Sequence, residues 1–427
     1  MPVSGRGSDT GLETLKPTLL LATTDRWFPT ARLGIAMAKA GFSVEAVCPS
    51  EHPLETASII RRIYRYNGLA PLRSFVGAII ASKPNVIVPG DDLAARHLRE
   101  IHQRDRSRKH SSSVGALIER SVGDPQGYPL VFARAGFMQL ARAQAIRAPK
   151  TEVIASLDDL ERWAADNGFP IVLKADGTSG GDGVKIANTL EEAERAFQKL
   201  ARSPLLARAL KRTLLDRDST LLARSILRRR SIVNAQVFVT GSEATSAVAC
   251  WRGSVLAALH FQVIQKTQST GHATVMQLIE NEEMSSAAEK MVRQLSLSGL
   301  HGFDFMLEAN TANAHLIEIN PRSTQVGHLT LGPGRDLPAA LYTAVSGEPL
   351  NPVSVVTERD TIALFPQEWI RDAASPYLRS AYHDVPWEEP ALTRACVLSH
   401  RKQSAWYAAR SKARKSSNQV VSGSEAS

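Results

Sequence analysis

The segment from Val172 to Val184 constrains the fold most, because it places a lysine just before a cluster of glycines, between two apolar runs. Four glycines fall within the seven positions from Gly177 to Gly183, so backbone amides can crowd onto an anion. Lys174 precedes the glycines and no GK[ST] follows them, which excludes a Walker A loop. The flanking runs predict two strands whose connection closes over phosphates as a hairpin flap. The alternative is a mobile Gly-rich hairpin beside an ordinary lysine.

A second motif follows a strand-like run and ends in Asn320, Pro321 and Arg322. Alternate residues of a strand share one face, so Glu318 and Asn320 present two oxygen ligands together. Asp304 lies in another strand-like run, and an antiparallel hairpin would bring it beside Glu318. Two carboxylates and an amide suit Mg²⁺ shared with phosphates, and Arg322 would offset charge on a transferring phosphoryl group. The alternative is that these are solvent-facing polar positions of alternating strands.

Composition narrows the class of protein. No apolar run of the 427 residues approaches the roughly 18–20 that a membrane helix needs, and no signal-peptide layout is present, so we expect a cytoplasmic protein without a membrane partner. Three scattered cysteines form no CxxC motif and predict buried thiols. The net charge of +9 is concentrated in 201–230 and 401–415. Neither stretch carries a nucleic-acid-binding motif, which favours a solvated helical face or the rim of an anionic substrate site.

Residues 17–115 alternate between strand-like and helix-like runs, which predicts a parallel sheet with helices on its faces. Within this region the charged, Ser-rich run 103–113 predicts a loop or linker.

The order and spacing of the two motifs resemble the ATP-grasp superfamily, particularly its carbamoyl-phosphate-synthase and biotin-carboxylase-like branch, over about 116–350. This resemblance implies an α/β fold, α+β in its central part, with an N-terminal parallel α/β domain before the ATP-grasp domain. The expected organisation is a flexible N-terminus at 1–16, the α/β domain at 17–115, the ATP-grasp domain at 116–350 with a hinge near 235–243, a C-terminal docking segment at 351–400 and a basic, disordered tail at 401–427.

The resemblance also implies site residues. Lys174 and Arg322 would be catalytic, and Asp304, Glu318 and Asn320 would bind the metal. The expected ATP contacts are Arg134, Lys174, Gly180, Gly181, Gly183, Gln236, Val237, Phe238, Val239 and Glu243. Gln236 stands where the family more often has an acidic residue. Lys266 and His272, between hinge and metal site, are candidates for substrate binding, with a polar solvent loop as the alternative.

These features predict a ligase that uses ATP and Mg²⁺, or Mn²⁺, to activate a small carboxylate as an acyl phosphate for attack by an amine, a thiol or another nucleophile. Phosphorylation of a small acceptor such as bicarbonate or carbamate is one alternative, and a non-catalytic ATP-binding module is another. A nucleic-acid binder based on the two basic stretches is disfavoured. A homodimer is left open.

Overall fold

The computed structural model describes residues 16–106, 113–177, 183–202, 231–268, 271–349 and 354–398. Gly180 and Gly181 of the predicted flap, nearly all of the basic stretch 201–230 and the tail from 401 onward lie outside the described residues. Within the described ranges, no helix is long and apolar enough to cross a bilayer.

The N-terminal region forms a four-stranded parallel sheet, as predicted. Its strands are β1 (Thr18–Ala22), β2 (Ser43–Cys48), β3 (Arg62–Arg65) and β4 (Val86–Pro89), in the order β3-β2-β1-β4. Four helices accompany the sheet: α1 (Phe28–Lys39), α2 (Pro71–Ser82), α3 (Asp92–Arg106) and α4 (Ser113–Val122). The leucines of β1 are fully buried, because helices cover both faces of a parallel sheet and leave no solvated side.

The prediction of a loop over 103–113 was wrong at its first residues. α3 continues to Arg106, because His102 and Asp105 face inward and are buried. Glu100 and Arg104 also form an ion pair one turn apart on its exposed side. Polar composition therefore misled the prediction where a helix buries part of a polar run.

The second sheet is small and antiparallel. Its strands are β5 (Thr151–Ile154), β6 (Ile171–Ala175), β7 (Val184–Ala187) and β8 (Val233–Val237), in the order β5-β8-β6-β7. The helices of this region are α5 (Tyr128–Val131), α6 (Arg134–Ala143), α7 (Leu157–Asn167) and α8 (Leu190–Ala201). α7 begins with a capping box formed by Ser156 and Asp159. Apolar residues on one face of the sheet pack against α7 and α8. The polar residues of the other face are therefore directed into the cleft between this sheet and the seven-stranded sheet described next.

The third sheet has seven strands, in the order β13-β12-β9-β10-β11-β14-β15. Its strands are β9 (Gly241–Trp251), β10 (Ser254–Lys266), β11 (Ala273–Leu278), β12 (Gly299–Glu308), β13 (Ala314–Asn320), β14 (Thr361–Ala363) and β15 (Tyr382–His383). The accompanying helices are α9 (Glu282–Gln294), α10 (Leu337–Ser346), α11 (Gln367–Arg371) and α12 (Tyr377–Ser380). Neighbouring strands are antiparallel except for β14 and β15. Through β14, the C-terminal segment joins the same sheet that carries Asp304 and Glu318.

Candidate active site

Lys174 lies in β6 on the face of the small sheet opposite its apolar core. Its neighbours Leu173 and Ala175 point into that core, so strand alternation directs the lysine into the cleft. The side chain is only 5% exposed. Burial lowers the pKa of Lys174, while the negative charge of Glu318 acts to raise it. A buried cation next to a carboxylate is well placed to meet the charge of a polyphosphate.

The predicted hairpin forms between β12 and β13, with Asp304 directly opposite Glu318. Asp304 accepts hydrogen bonds from Thr245 Oγ1 at 2.8 Å and from Asn320 Nδ2 at 2.9 Å. Burial, and then the like charge of Glu318, raise the pKa of Asp304 to about 6. Two carboxylates on directly paired, half-buried positions favour a cation beside them, because a cation relieves their repulsion.

Arg134 joins the two sheets at the first residue of α6. Its Nη2 donates to Glu318 Oε1 at 2.8 Å, and its Nη1 donates to the Ala175 carbonyl at 2.7 Å. Asp176 is a further ion-pair partner, with 3.5 Å between Nη1 and Oδ1. The arginine therefore lies between β6, which carries Lys174, and the β12–β13 hairpin, which carries Asp304 and Glu318. Phosphate oxygens of a bound nucleotide could replace Glu318 and the Ala175 carbonyl as its hydrogen-bond partners.

Arg322 is held by the N-terminal region. Its Nε lies 3.2 Å from Oδ1 of Asp92, and its guanidinium carbon lies 5.4 Å from the centroid of the Trp27 ring. Its Nη2 is 3.4 Å from Asn320 Oδ1. Burial acts to lower the pKa of Arg322, but Asp92 and further carboxylates raise it overall. Arg322 stays charged and lies beside Asn320, at the end of the β12–β13 hairpin.

The donor set fits magnesium. Asp304, Glu318 and Asn320 supply hard oxygen atoms from two adjacent strands, which is the chemistry that Mg²⁺ prefers. Within the described ranges no group of three or more His, Cys, Asp or Glu side chains is arranged to hold a metal. The predicted set of two carboxylates and one amide would leave coordination positions for phosphate oxygens or water.

The residues predicted to bind the nucleotide divide into three groups. Val237 ends β8, and Phe238 and Val239 lie in the short connection from β8 to β9, at the predicted hinge. Gly183 lies directly before β7, at the end of the flap. Gln236 is different, because it is buried and its side-chain amide donates to Thr151 Oγ1 at 2.9 Å. The structure thus engages Gln236 within the small sheet rather than opening it toward a ribose.

The side chains of the two candidate substrate residues have different contacts, although the residues are neighbours across the β10–β11 pairing. Lys266 Nζ donates to Glu243 Oε1 at 2.6 Å, so this lysine lies with the predicted ribose contact. The His272 ring lies 6.2 Å from the Trp27 ring, on the side of Arg322. His272 and Arg322 thus both lie near Trp27.

Several polar residues of the site were missed at the sequence level. Asn234, fully buried opposite Lys174, donates to Asp176 at 2.9 Å. The sequence signal that could have indicated Asn234 is a single asparagine among the apolar residues of β8. Asp92 begins α3, with only Gly90 and Asp91 between it and the end of β4, and polar residues at the carboxyl ends of parallel strands often serve a site. Trp27 carried no comparable signal.

Comparison with known proteins identifies the central segment. Residues 134–331 match the model of the carbamoyl-phosphate synthase L chain, ATP binding domain. The chain is 24% identical over 264 residues to the arginine-specific large chain of carbamoyl phosphate synthase from Geobacillus stearothermophilus, an alignment that covers 60% of this chain and 23% of the relative. It is 22% identical over 301 residues to the large chain from Thermus thermophilus, covering 61% and 27%. The chain spans about a quarter of the length of these relatives.

Solved structures share the architecture. The biotin carboxylase domain of Hydrogenobacter thermophilus 2-oxoglutarate carboxylase superposes with a TM-score of 0.56 at 15% identity, covering 80% of this chain and 72% of that one. N5-carboxyaminoimidazole synthetase from Staphylococcus aureus gives a TM-score of 0.54 at 15% identity, covering 79% of each chain. At such identities the likeness establishes the fold. The chain therefore has the ATP-grasp fold, and its residues 134–331 are similar to the ATP-binding domain of carbamoyl-phosphate synthase large chains.

Proposed function

We propose that the chain is an ATP- and Mg²⁺-dependent ligase that activates a carboxylate as an acyl phosphate for attack by an amine or another nucleophile. The observation that carries this proposal is the convergence of a buried Lys174, the opposed carboxylates Asp304 and Glu318, and a positioned Arg322 on one cleft. A protein that only binds a nucleotide has no need for this combination.

The residues divide the chemistry. Asp304, Glu318 and Asn320 would hold Mg²⁺, which supplies charge neutralisation on the phosphates. Lys174 offsets further phosphate charge, and Arg322 stabilises the charge on the transferring group. A carboxylate oxygen of the substrate attacks the γ-phosphorus while the bond from that phosphorus to the ADP oxygen breaks. The nucleophile then attacks the acyl carbon, the bond from that carbon to the phosphate oxygen breaks, and an amine nucleophile gives up a proton to the departing phosphate or to water.

The relatives support a ligase. The similar structures include a synthetase and a biotin carboxylase domain that was solved with MgADP and bicarbonate. That domain is described as a dimer, which supports the homodimer left open by the sequence. A cytoplasmic location and small-molecule partners remain part of the proposal.

The test is ADP release by the purified chain with a panel of carboxylates, in the presence and absence of amines. We expect Lys174→Ala and Glu318→Ala to abolish the substrate-dependent ADP release, because each removes a charge that faces the phosphates. Lys185→Ala is the matched control, since Lys185 lies on the adjacent strand β7 and is exposed. Full activity of a folded Lys174→Ala or Glu318→Ala variant would refute the proposal.

Phosphorylation of bicarbonate or carbamate is a second candidate, favoured by the match to the carbamoyl-phosphate synthase domain. The same assay separates the two. Bicarbonate alone would stimulate ADP release under this second candidate, whereas a ligase would respond to an organic acid and form a product that contains the amine.

A further inference from the structure

Thr245 lies beside the two carboxylates of the site, although it is not one of the predicted nucleotide or metal contacts. It is on β9, directly opposite Asp304 of β12, and Asp304 is in turn directly opposite Glu318 of β13. Directly paired residues of antiparallel strands project from the same face of the sheet. The hydroxyl of Thr245 and the two carboxylates therefore form a row across three neighbouring strands.

The carboxylate of Asp304 accepts hydrogen bonds from both neighbouring strands. Thr245 Oγ1 on β9 donates to Oδ1 at 2.8 Å, and Asn320 Nδ2 on β13 donates to Oδ2 at 2.9 Å. Each neighbouring strand thus holds one of the two oxygens. Turning the carboxylate about its Cβ–Cγ bond would weaken both hydrogen bonds, because each depends on distance and angle. The two donors together therefore fix the orientation of the carboxylate.

Asp304 needs such a restraint because of its neighbour on β13. Glu318 carries a like charge at the directly opposite position, and like charges at close range repel. Glu318 has its own donor, since Arg134 Nη2 bonds to its Oε1 at 2.8 Å. Thr245 supplies a donor for Asp304 from the other side, on β9. Both carboxylates are thereby held in place although they repel each other.

We infer that Thr245 is a positioning residue for the metal site and acts through Asp304. The inference rests on the proposed function, because it takes Asp304 as a ligand of Mg²⁺. The threonine hydroxyl is neutral, so it orients the carboxylate without cancelling the negative charge that attracts the cation. The branched Cβ of threonine restricts χ1, so the hydroxyl loses little freedom when it donates. Hydrogen-bond partners of metal ligands commonly contribute about tenfold to a hundredfold to metal affinity.

The test measures Mn²⁺ binding to the full chain in the presence of ADP, from the loss of the free-ion signal in electron paramagnetic resonance. We expect Thr245→Val, which keeps the shape of the side chain but removes its hydroxyl, to raise the Kd for Mn²⁺ about tenfold. Thr245→Ser keeps the hydroxyl and should stay within about threefold of the wild type. The Kd for ADP in EDTA should change less than about twofold, because neither substitution alters a predicted nucleotide contact.

Thr311→Val is the matched control. Thr311 lies in the turn between β12 and β13 and donates its hydroxyl to the carboxylate of Glu308. This variant therefore also removes a hydrogen bond from a threonine to a carboxylate of the same hairpin, but an exposed one at the end of the hairpin away from Asp304. It should bind Mn²⁺ as the wild type does.

Three results would each overturn the inference and leave the proposed function intact. They are wild-type Mn²⁺ binding by a folded Thr245→Val variant, equal losses in Thr245→Ser and Thr245→Val, and an equal loss in Thr311→Val. In all three cases the wild-type chain still binds Mn²⁺ together with the nucleotide. If the wild-type chain itself binds no Mn²⁺ in the presence of ADP, the proposed function fails and the inference fails with it.

Discussion

Arg322 shows how one catalytic candidate depends on residues that lie far away in the chain. Asp92 binds its Nε, Trp27 lies against its face, and Asn320 lies beside its Nη2. The loop that carries Trp27 is itself held by Asp91, which accepts hydrogen bonds from Thr23 and Thr24. We therefore regard Asp92 as a positioning residue for the arginine.

Asp92→Asn should lower kcat for substrate-dependent ADP release about tenfold, because a neutral partner holds the guanidinium less firmly in its productive orientation. The KM for ATP should stay within about twofold, and Asp92→Glu should recover part of kcat. Glu100→Gln is the control, since Glu100 pairs with Arg104 on the same helix but lies outside the site. An unchanged kcat in Asp92→Asn would show that Arg322 needs no such partner.

At the scale of elements, a buried histidine ties two strands to a helix. His260 of β10 is bonded through Nδ1 to Ser246 of β9 at 2.7 Å, and through Nε2 to Ser285 of α9 at 2.8 Å. Burial lowers the pKa of His260 to about 4. The imidazole is therefore neutral in the folded protein and joins elements of the large sheet, rather than serving as a base.

This arrangement makes the fold sensitive to acid. His260 binds a proton near pH 6.5 in the unfolded chain, but only near pH 4 in the folded chain. The stability that His260 contributes is therefore present above pH 6.5 and is lost as the pH falls toward 4. Between pH 7 and pH 5, protonation of His260 should lower the free energy of unfolding by about 2 kcal/mol. Urea unfolding at the two pH values should show a smaller loss for His260→Gln than for the wild type, with the exposed His272→Gln as control. Equal losses in wild type and His260→Gln would contradict the assignment.

At the scale of the molecule, the C-terminal segment is fastened to the N-terminal region through a buried ionic cluster. Asp384 accepts from Arg32 of α1 at 2.5 Å, and its other oxygen lies 2.9 Å from His328 Nε2. Burial acts to raise the pKa of Asp384, but Arg32 and His328 lower it overall. A second pair between the same regions, Lys39 and Glu388, is about half exposed.

Removing the buried charge should cost far more stability than removing the exposed one. Asp384→Asn leaves Arg32 buried without its counter-charge, and breaking such a pair costs about 3–5 kcal/mol. Glu388→Gln breaks the exposed pair between the same regions and should cost less than about 1 kcal/mol. Urea unfolding of both variants measures the difference, and equal effects would argue against a buried clamp.

The sequence alone was sufficient for the parallel N-terminal sheet and for the two strands that carry Asp304 and Glu318. The strand-like runs around Asp304 and Glu318 predicted a hairpin that would bring the two carboxylates together, and the two strands do pair. This feature is local, because strand alternation depends only on neighbouring residues. The parallel order of the first sheet likewise follows from alternating strands and helices.

The surroundings of the motifs required the folded chain. Asp92, Trp27 and Arg134 reach the cleft only when separate sheets pack together, and no local pattern encodes which loop will lie against Arg322. The same packing brings Gln236 to Thr151 and Lys266 to Glu243, contacts that no local pattern of the sequence predicts. A linear motif can thus specify a side chain and its face on a strand, whereas its partners are set by long-range contacts, because hydrogen bonds and ion pairs form between whichever polar groups the packed core brings within reach.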